Sequence, residues 1–146
     1  MSSVEVPFKV ADGSVLPGYA RKGDAGMDLR SAEDLVLAPF ERKAVGTGLW
    51  MGLPDGFCAK VLPRSGMALK QGVTVVNAPG LIDSGYRGEV RVALVNMDPV
   101  NQVAIKKGDR IAQLVVERTV QVTPVQVDEL DATERGEGGF GSTGVE

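Results

Sequence analysis

Arg64 and Ser65 stand in this sequence where they could bind an anion. They belong to PRSGMALKQG, residues 63–72, in which Pro63 ends a predicted strand and Ser65 is a natural helix N-cap. The free N–H groups of a first helical turn form an anion site, and arginine suits phosphate oxygens. A capped surface helix has the same pattern, and this stretch alone favours that simpler interpretation.

Carboxylates occur in two further stretches. Asp24 and Asp28 lie in KGDAGMDLR, and beside a phosphate site they could hold magnesium through its waters, although each alone is typical of a polar turn. Asp83 stands with Tyr86 in NAPGLIDSGYRGEV, which predicts a β-hairpin over residues 77–90 with both side chains near its tip. In isolation this pattern favours an ordinary turn aspartate and a packing ring.

Other polar side chains stand on predicted strands. Arg87 and Glu89 could form a solvated cross-strand pair. KKGDRIAQLVV predicts a turn and then a strand that carries Gln113, whose amide can donate to a phosphate oxygen. Arg110 in the same stretch is more typical of a structural ion-pair partner than of a ligand.

Histidine is absent from all 146 residues. This excludes the Ser-His-Asp and Cys-His arrangements, and with a single cysteine it excludes ordinary zinc sites. Any general base must therefore be Asp, Glu, Lys or Tyr, and any metal should be a hard, oxygen-preferring ion such as Mg²⁺.

A glycine-rich stretch, RGEGGFGSTG at residues 135–144, carries Arg135, Phe140, Ser142 and Thr143. Glycine loses more backbone freedom on ordering than any other residue, so this stretch is costly to hold in one conformation. Its GEGGFG portion matches the dinucleotide pattern G-x-G-x-x-G, but that pattern needs a strand before it and a helix after it. Too few residues follow to form the helix, so we reject a dinucleotide site.

Short runs of alternating apolar residues predict the strands that position these side chains. Such runs occupy residues 4–10, 90–94 and 120–122, and Gly and Pro punctuate the chain between them. The one predicted helix covers residues 65–70. We therefore predict an all-β domain over residues 1–127, a sandwich or barrel, followed by a mobile C-terminal arm at residues 128–146.

Composition narrows the class of protein. A net charge of −3 argues against a large basic face for duplex nucleic acid. Cys58 is the single cysteine, which excludes a disulfide framework, and its predicted strand makes it a small core residue. No apolar run is long enough to span a bilayer, and the first residues lack a secretory signal pattern. We expect a cytoplasmic protein that requires neither nucleic acid nor a membrane.

Taken together and in order, five stretches resemble the motifs of trimeric dUTPases: AGMDLRSA, PRSGMALKQG, NAPGLIDSGYRGEV, GDRIAQL and RGEGGFGSTG. The resemblance covers residues 25–144, and the second, third and fifth motifs are the specific ones. Met67 stands where leucine is usual. Gly85 stands where many members carry a second acid, so that acid cannot be essential here.

The resemblance implies a jelly-roll-like distorted β-barrel of the β-clip type, in a homotrimer with an exchanged C-terminal arm. Each of three active sites is implied to combine the first, second and fourth motifs of one chain, the third of another and the tail of the last. The implied reaction is Mg²⁺-assisted hydrolysis of dUTP to dUMP and pyrophosphate. It keeps uracil out of DNA and supplies dUMP for dTMP synthesis.

The resemblance also implies residue roles. Asp83 would activate the water that attacks the α-phosphorus, Arg135 would act like an arginine finger, and Asp28 would hold Mg²⁺ through water. The implied substrate contacts are Arg64, Ser65, Gly66 and Gln113 for the phosphates, Asn77, Leu81, Ile82 and Arg91 for uracil, Tyr86 for the sugar, and Phe140, Ser142 and Thr143 in the closing tail.

Two alternatives remain open. A dCTP deaminase-like enzyme on the same fold would need a catalytic glutamate in the hairpin region and a longer chain, whereas Asp83 followed by Tyr86 and the full fifth motif argue against it. A non-catalytic nucleotide sensor or partner-binding protein should tolerate loss of Asp83, Arg64 or the tail, and all three are present.

Overall fold

The computed structural model describes residues 3–144, which form ten β-strands and one short helix. In chain order these are β1 Phe8–Val10, β2 Met27–Arg30, β3 Leu35–Leu37, β4 Arg42–Met51, β5 Phe57–Leu62, α1 Ser65–Gln71, β6 Val73–Val75, β7 Gly80–Ile82, β8 Glu89–Asn96, β9 Val103–Ile105 and β10 Arg110–Arg118. The prediction of an all-β fold with one short helix is confirmed.

The strands form two four-stranded sheets and one two-stranded sheet, with antiparallel pairing in each. The first sheet has the order β1-β4-β8-β6, the second β2-β10-β5-β7, and β3 pairs with β9. Buried side chains of both large sheets belong to one core cluster, including Val45 and Val92 from the first and Leu29 and Leu114 from the second. The two sheets therefore enclose a shared core, as a jelly-roll-like domain requires.

Alternation along β8 explains why this segment forms a strand at the centre of its sheet. Val90, Val92 and Leu94 are fully buried, whereas Arg91 between them is exposed. Burying each of these apolar side chains stabilises the fold by about 1.5–3 kcal/mol. Cys58, predicted as a small core residue, is likewise buried, on β5.

The predicted cap of the helix is wrong in detail. The helix begins at Ser65, so Arg64 is the N-cap residue, and its side chain makes no capping hydrogen bond. The backbone of Arg64 is extended, as expected after a strand that ends near Pro63. The helix ends at Gln71. The C-cap Gly72 closes the last turn, with a left-handed φ of 69° and backbone N–H bonds at the cap to the carbonyls of Ala68 and Met67.

The predicted hairpin over residues 77–90 is also wrong. β7 pairs with β5 in the second sheet, whereas β8 lies between β4 and β6 in the first. The connection at residues 83–88 thus crosses between sheets instead of folding one strand back on its neighbour. Alternation and turn residues indicate that a strand forms, but the choice of partner depends on distant segments.

Apolar alternation at both ends of the chain forms less strand than predicted. Of residues 4–10, only Phe8–Val10 pairs, with β4. Val120 and Val122 are exposed and lie outside any strand, since β10 ends at Arg118. Residues 119–144 contain neither strand nor helix, and the domain boundary at residue 127 stays a prediction. Within residues 3–144, the structure has no helix with the length and apolar character needed to cross a membrane.

Candidate active site

The second sheet brings together three of the predicted site residues. In the register of its strands, Gln113 of β10 lies opposite Asp28 of β2 on one side and Leu62 of β5 on the other. Arg64 follows Leu62 by two residues and starts α1. Three segments far apart in sequence therefore meet at one end of this sheet.

A network of polar contacts holds these residues in place. The Nε atom of Arg64 lies 3.5 Å from Oδ1 of Asp28, and Nη1 of Arg110 lies 3.4 Å from Oδ2 of the same carboxylate. Arg64 also donates from Nη1 to the backbone oxygen of Arg110 at 3.1 Å. The side chains of Asp28 and Arg64 are only 25% and 28% exposed. Two guanidinium groups around one carboxylate leave a net positive charge, which suits an anionic ligand.

Gln113 is fixed by a tight contact that the sequence did not reveal. Its Nε2 donates to the backbone oxygen of Pro63 at 3.0 Å, which ties β10 to the start of the helix. A β-carbon at Gly26 would lie 2.8 Å from Oε1 of Gln113, so a side chain there would displace the amide from this position. The only sequence signal for this role is a glycine two residues before Asp28. The prediction that Arg110 is an ion-pair partner is confirmed, but its carbonyl contact with Arg64 was missed.

The first turn of α1 continues this cluster, named here the phosphate cluster: Asp28, Arg64, Ser65, Gly66, Arg110 and Gln113. Ser65 and Gly66 are exposed beside Arg64. The early N–H groups of a helix have no partner within the helix, and here no N-cap side chain accepts from them. They can therefore donate to a bound anion.

The carboxylates of this region offer few metal ligands. Asp24 accepts a hydrogen bond from the N–H of Arg21 at 2.8 Å, as a turn-forming aspartate does. Among residues 3–144, no three His, Cys, Asp or Glu side chains are grouped to hold a metal. Asp28 alone contributes one partly exposed carboxylate at the cluster. A single carboxylate fits Mg²⁺, because this ion keeps several waters and takes its other oxygens from substrate phosphates.

The β7 part of the third motif lies elsewhere on the same sheet. Leu81 pairs with Lys60 and Ile82 pairs with Ala59, which puts Asp83 beyond the level of Ala59, toward the start of β5. Arg64 follows the other end of β5. At about 3.3 Å per residue, the stretch from residue 58 to residue 64 spans about 20 Å. One chain therefore does not bring Asp83 to the phosphate cluster.

The other predicted uracil contacts surround β7 and β8. Asn77 is exposed and lies close to Gly80, and Arg91 is exposed opposite Gly46. The side chain of Ile82 is buried in the core, so a ligand at this point can contact only its backbone. Recognition of a base by backbone groups of the third motif stays a prediction.

The connection at residues 83–88 is stabilised by hydrogen bonds from a side chain to its own backbone. Arg87 donates from Nη1 to the backbone oxygens of Ser84 and Tyr86, at 2.6 and 2.9 Å. The predicted Arg87–Glu89 pair is wrong, since Glu89 instead forms an ion pair with Arg91 at 3.4 Å. Arg87 is drawn to the backbone because the turn brings those carbonyls within its reach.

The glycine-rich tail makes only local contacts in the part that the structure describes. Arg135 donates from Nε to the backbone oxygen of Gly138 at 2.7 Å, and Ser142 donates its N–H to Gly139. Phe140 is fully exposed at a φ of 50°. Arg135, Phe140, Ser142 and Thr143 are thus not joined to the phosphate cluster within the chain.

Comparison with known proteins finds relatives over most of the chain. The sequence model of the dUTPase family matches residues 13–144. The deoxyuridine 5'-triphosphate nucleotidohydrolase of Thermobifida fusca (strain YX) is 58% identical over 129 residues, which are 88% of this chain and 72% of that protein. That of Cutibacterium acnes (strain DSM 16379 / KPA171202) is 53% identical over 145 residues, 99% of this chain and 95% of that protein.

Solved structures show the same fold. The Staphylococcus bacteriophage 80alpha dUTPase with dUpNHpp superposes with a TM-score of 0.91 at 29% identity, over 98% of this chain and all 100% of that one. A variant dUTPase of phage phi11 of S. aureus, described with a structural Mg(II) ion, gives a TM-score of 0.82 at 24% identity, over 88% of this chain and 100% of that chain.

Proposed function

The chain belongs to the dUTPase family, and on that premise we propose that it hydrolyses dUTP to dUMP and pyrophosphate. The observation that carries the proposal is the phosphate cluster. Two arginines, an amide and an uncapped helix start converge on one point with surplus positive charge. A triphosphate is the part of dUTP that such a set of donors recognises.

The phosphate chain binds along this cluster. Arg64 exchanges its contact with Asp28 for phosphate oxygens, while the Ser65 hydroxyl and the Gly66 N–H donate beside it. Gln113 reaches the phosphate nearest the sugar. Arg110 stays with Asp28, so the carboxylate is not left unpaired when Arg64 turns to the ligand.

Asp28 is the residue that would hold Mg²⁺, through a coordinated water. When bound, the ion neutralises triphosphate charge and polarises the phosphoryl oxygens. The side chain of Asp28 is 25% exposed, and its Oδ2 lies 3.4 Å from Nη1 of Arg110, so the carboxylate is accessible and held in place.

Asp83 orients and activates the water that attacks the α-phosphorus, and it receives the 3'-hydroxyl of deoxyribose. In a chain without histidine, a carboxylate is the expected base. The separation of about 20 Å along β5 between the level of Asp83 and Arg64 supports a site shared between copies, in which another chain supplies Asp83. We propose a homotrimer with three such sites.

The third motif also selects the substrate. Asn77 and the backbone at Leu81, Ile82 and Arg91 read uracil, and close approach leaves no room for a thymine methyl. The Tyr86 ring lies against the sugar and excludes a 2'-hydroxyl. The exposed position of this ring, 45% accessible in one chain, leaves it available to a ligand.

The tail closes the site from a third chain. Phe140 stacks on uracil, and Arg135, Ser142 and Thr143 close on the terminal phosphates. Its glycines let it wrap closely around the ligand and stay mobile without it. The full exposure of Phe140 and the purely local contacts of Arg135 support a segment whose partner is absent from its own chain.

An assay of phosphate release tests this function. With Mg²⁺ and added pyrophosphatase, the protein should release phosphate from dUTP and not from dCTP. Asp83→Asn should retain nucleotide affinity but lose ~10²- to 10⁴-fold in kcat, since a positioned base is removed. Turnover of the variant near that of the wild type would overturn the assignment of Asp83.

Mixing two inactive chains tests the shared site. Chains truncated after Glu134 are combined with full-length chains that carry Asp83→Asn. If the tail crosses between chains, some sites combine an intact Asp83 with a neighbour's tail, and activity returns. Mass spectrometry verifies the subunit exchange. Persistent inactivity after verified exchange would rule out the lent tail.

A further inference from the structure

Gly88 lies against the hydroxyl end of the Tyr86 ring. A β-carbon at residue 88 would lie 2.3 Å from the Tyr86 hydroxyl oxygen, 2.5 Å from Cζ and 2.9 Å from Cε2. Carbon atoms in contact sit about 3.5–4.0 Å apart, so the ring cannot keep its position over any side chain at residue 88. Gly88 is not among the residues with a left-handed φ. The ring, and not backbone strain, is therefore what requires glycine here.

The hydroxyl of Tyr86 is tied to a rigid acceptor. It donates to the backbone oxygen of Glu89 at 2.9 Å. Glu89 is in turn anchored, because its carboxylate accepts from the N–H of Gly48 at 3.0 Å and pairs with Arg91. The tether thus ends on the β4–β8 ladder, so the position of the ring depends on the first sheet.

We propose that Gly88 is a positioning residue for sugar specificity: with the Glu89 carbonyl it forms a seat that holds the Tyr86 ring at a fixed depth. This inference rests on the proposed function, in which that ring excludes a 2'-hydroxyl. Tyr86 is 45% exposed, so its ring is held by Gly88 and the Glu89 carbonyl and not by packing in the core. A side chain at residue 88 displaces the ring by about 1 Å and breaks the tether, which opens space beside the sugar.

The test compares kcat/KM for dUTP and UTP in Gly88→Ala and in a matched control, Gly85→Ala. Gly85 lies in the same connection, but a β-carbon there meets nothing within 4 Å. Gly88→Ala should lower the dUTP/UTP ratio by roughly tenfold, the scale of small steric changes in a binding pocket. Gly85→Ala should leave the ratio within about twofold of wild type, and both variants should keep the wild-type melting temperature, since an exposed ring can move without disturbing the core.

Variants of Tyr86 separate the seat from the proposed function. Tyr86→Ala should lower the dUTP/UTP ratio, and adding Gly88→Ala to it should lower the ratio no further, since the ring is gone. Tyr86→Phe removes only the tether and should give a smaller fall than Gly88→Ala. If Tyr86→Ala lowers the ratio and Gly88→Ala does not, the seat is wrong and the proposed function stands. If wild-type protein does not prefer dUTP, or if Tyr86→Ala leaves the ratio unchanged, the role of the ring fails and the seat with it.

Discussion

The phosphate cluster and the glycine-rich tail carry the same kinds of donor groups but differ in the sequence distance of the partners that these groups contact. In the cluster, Arg64 contacts Asp28 and the carbonyl of Arg110, partners far away in sequence. In the described part of the tail, Arg135 contacts only Gly138, three residues along. Arg64 is positioned by distant parts of the fold, whereas the hydrogen bond of Arg135 comes from a neighbour in sequence.

The difference shows how the fold divides the cost of binding. Ordering a backbone residue costs about 1–2 kcal/mol of conformational free energy. In the strand domain this cost arises during folding, before substrate binds. In the proposed mechanism the tail loses this free energy only when substrate binds, and its glycines make the cost higher. Binding at the cluster and closure by the tail should therefore be separable, which the following changes test.

Truncation after Glu134 should have the largest effect. Hydrolysis should fall strongly, with the ~10³- to 10⁵-fold contribution of arginine fingers as an upper guide. The melting temperature should stay nearly unchanged, because Phe140 and its neighbours are exposed. The truncated protein should still bind nucleotide, because the phosphate cluster and the third motif remain. Differential scanning calorimetry and nucleotide titration measure both. A large loss of thermal stability would show that the tail is part of the folded domain.

Arg64→Ala should weaken substrate use less than truncation does. Losing a hydrogen-bonding group to a charged phosphate costs about 1.5–3 kcal/mol, or roughly 10- to 150-fold in kcat/KM. Arg42→Ala, on an exposed part of β4 in the other sheet, is the matched control and should change kcat/KM little. An equal loss in both variants would mean that general surface charge, and not the cluster, attracts the triphosphate.

Replacing one glycine by alanine should lower the stability of the protein beside the phosphate cluster but not in the tail. Gly26→Ala forces Gln113 out of place, since the new β-carbon would lie 2.8 Å from its Oε1, and should destabilise the protein by about 1–3 kcal/mol. A β-carbon at Gly139 in the tail meets nothing within 4 Å, so Gly139→Ala should leave stability unchanged. Urea unfolding of both variants measures the difference, and comparable midpoints would contradict it.

The smallest expected effect concerns acid stability. Backbone N–H groups of Asn101 and Val100 lower the pKa of Asp98, in the β8–β9 loop, below its ordinary value of 3.8. A carboxyl with a lowered pKa stabilises the fold at pH above its unfolded value, and this contribution disappears as pH falls through the folded pKa. Asp98→Asn should therefore be less stable than wild type near neutral pH, with the gap narrowing below pH 3.8. In thermal melts, the stability difference between wild type and Asp98→Asn should be the same with and without the tail. A difference that changes on truncation would show that the tail contributes to the stability of this loop.

Local chemistry in the sequence predicted the class of fold and the character of the site. Alternating apolar residues and turn residues predicted the strands, and the helix after Pro63 was placed within one residue at its end. The absence of histidine restricted the base to a few residue types. These properties depend on residue type and short spacing, which the sequence contains completely.

Tertiary structure alone decided which segments meet. It divided residues 77–90 between two sheets, joined Arg110 to both Asp28 and Arg64, and left Val120 without a strand partner. It also gave Gly26 and Gly88 their roles, which depend on side chains that fold against them. The physical reason is that a strand or an ion pair is completed by a partner from elsewhere in the chain, and short-range pattern does not specify that partner.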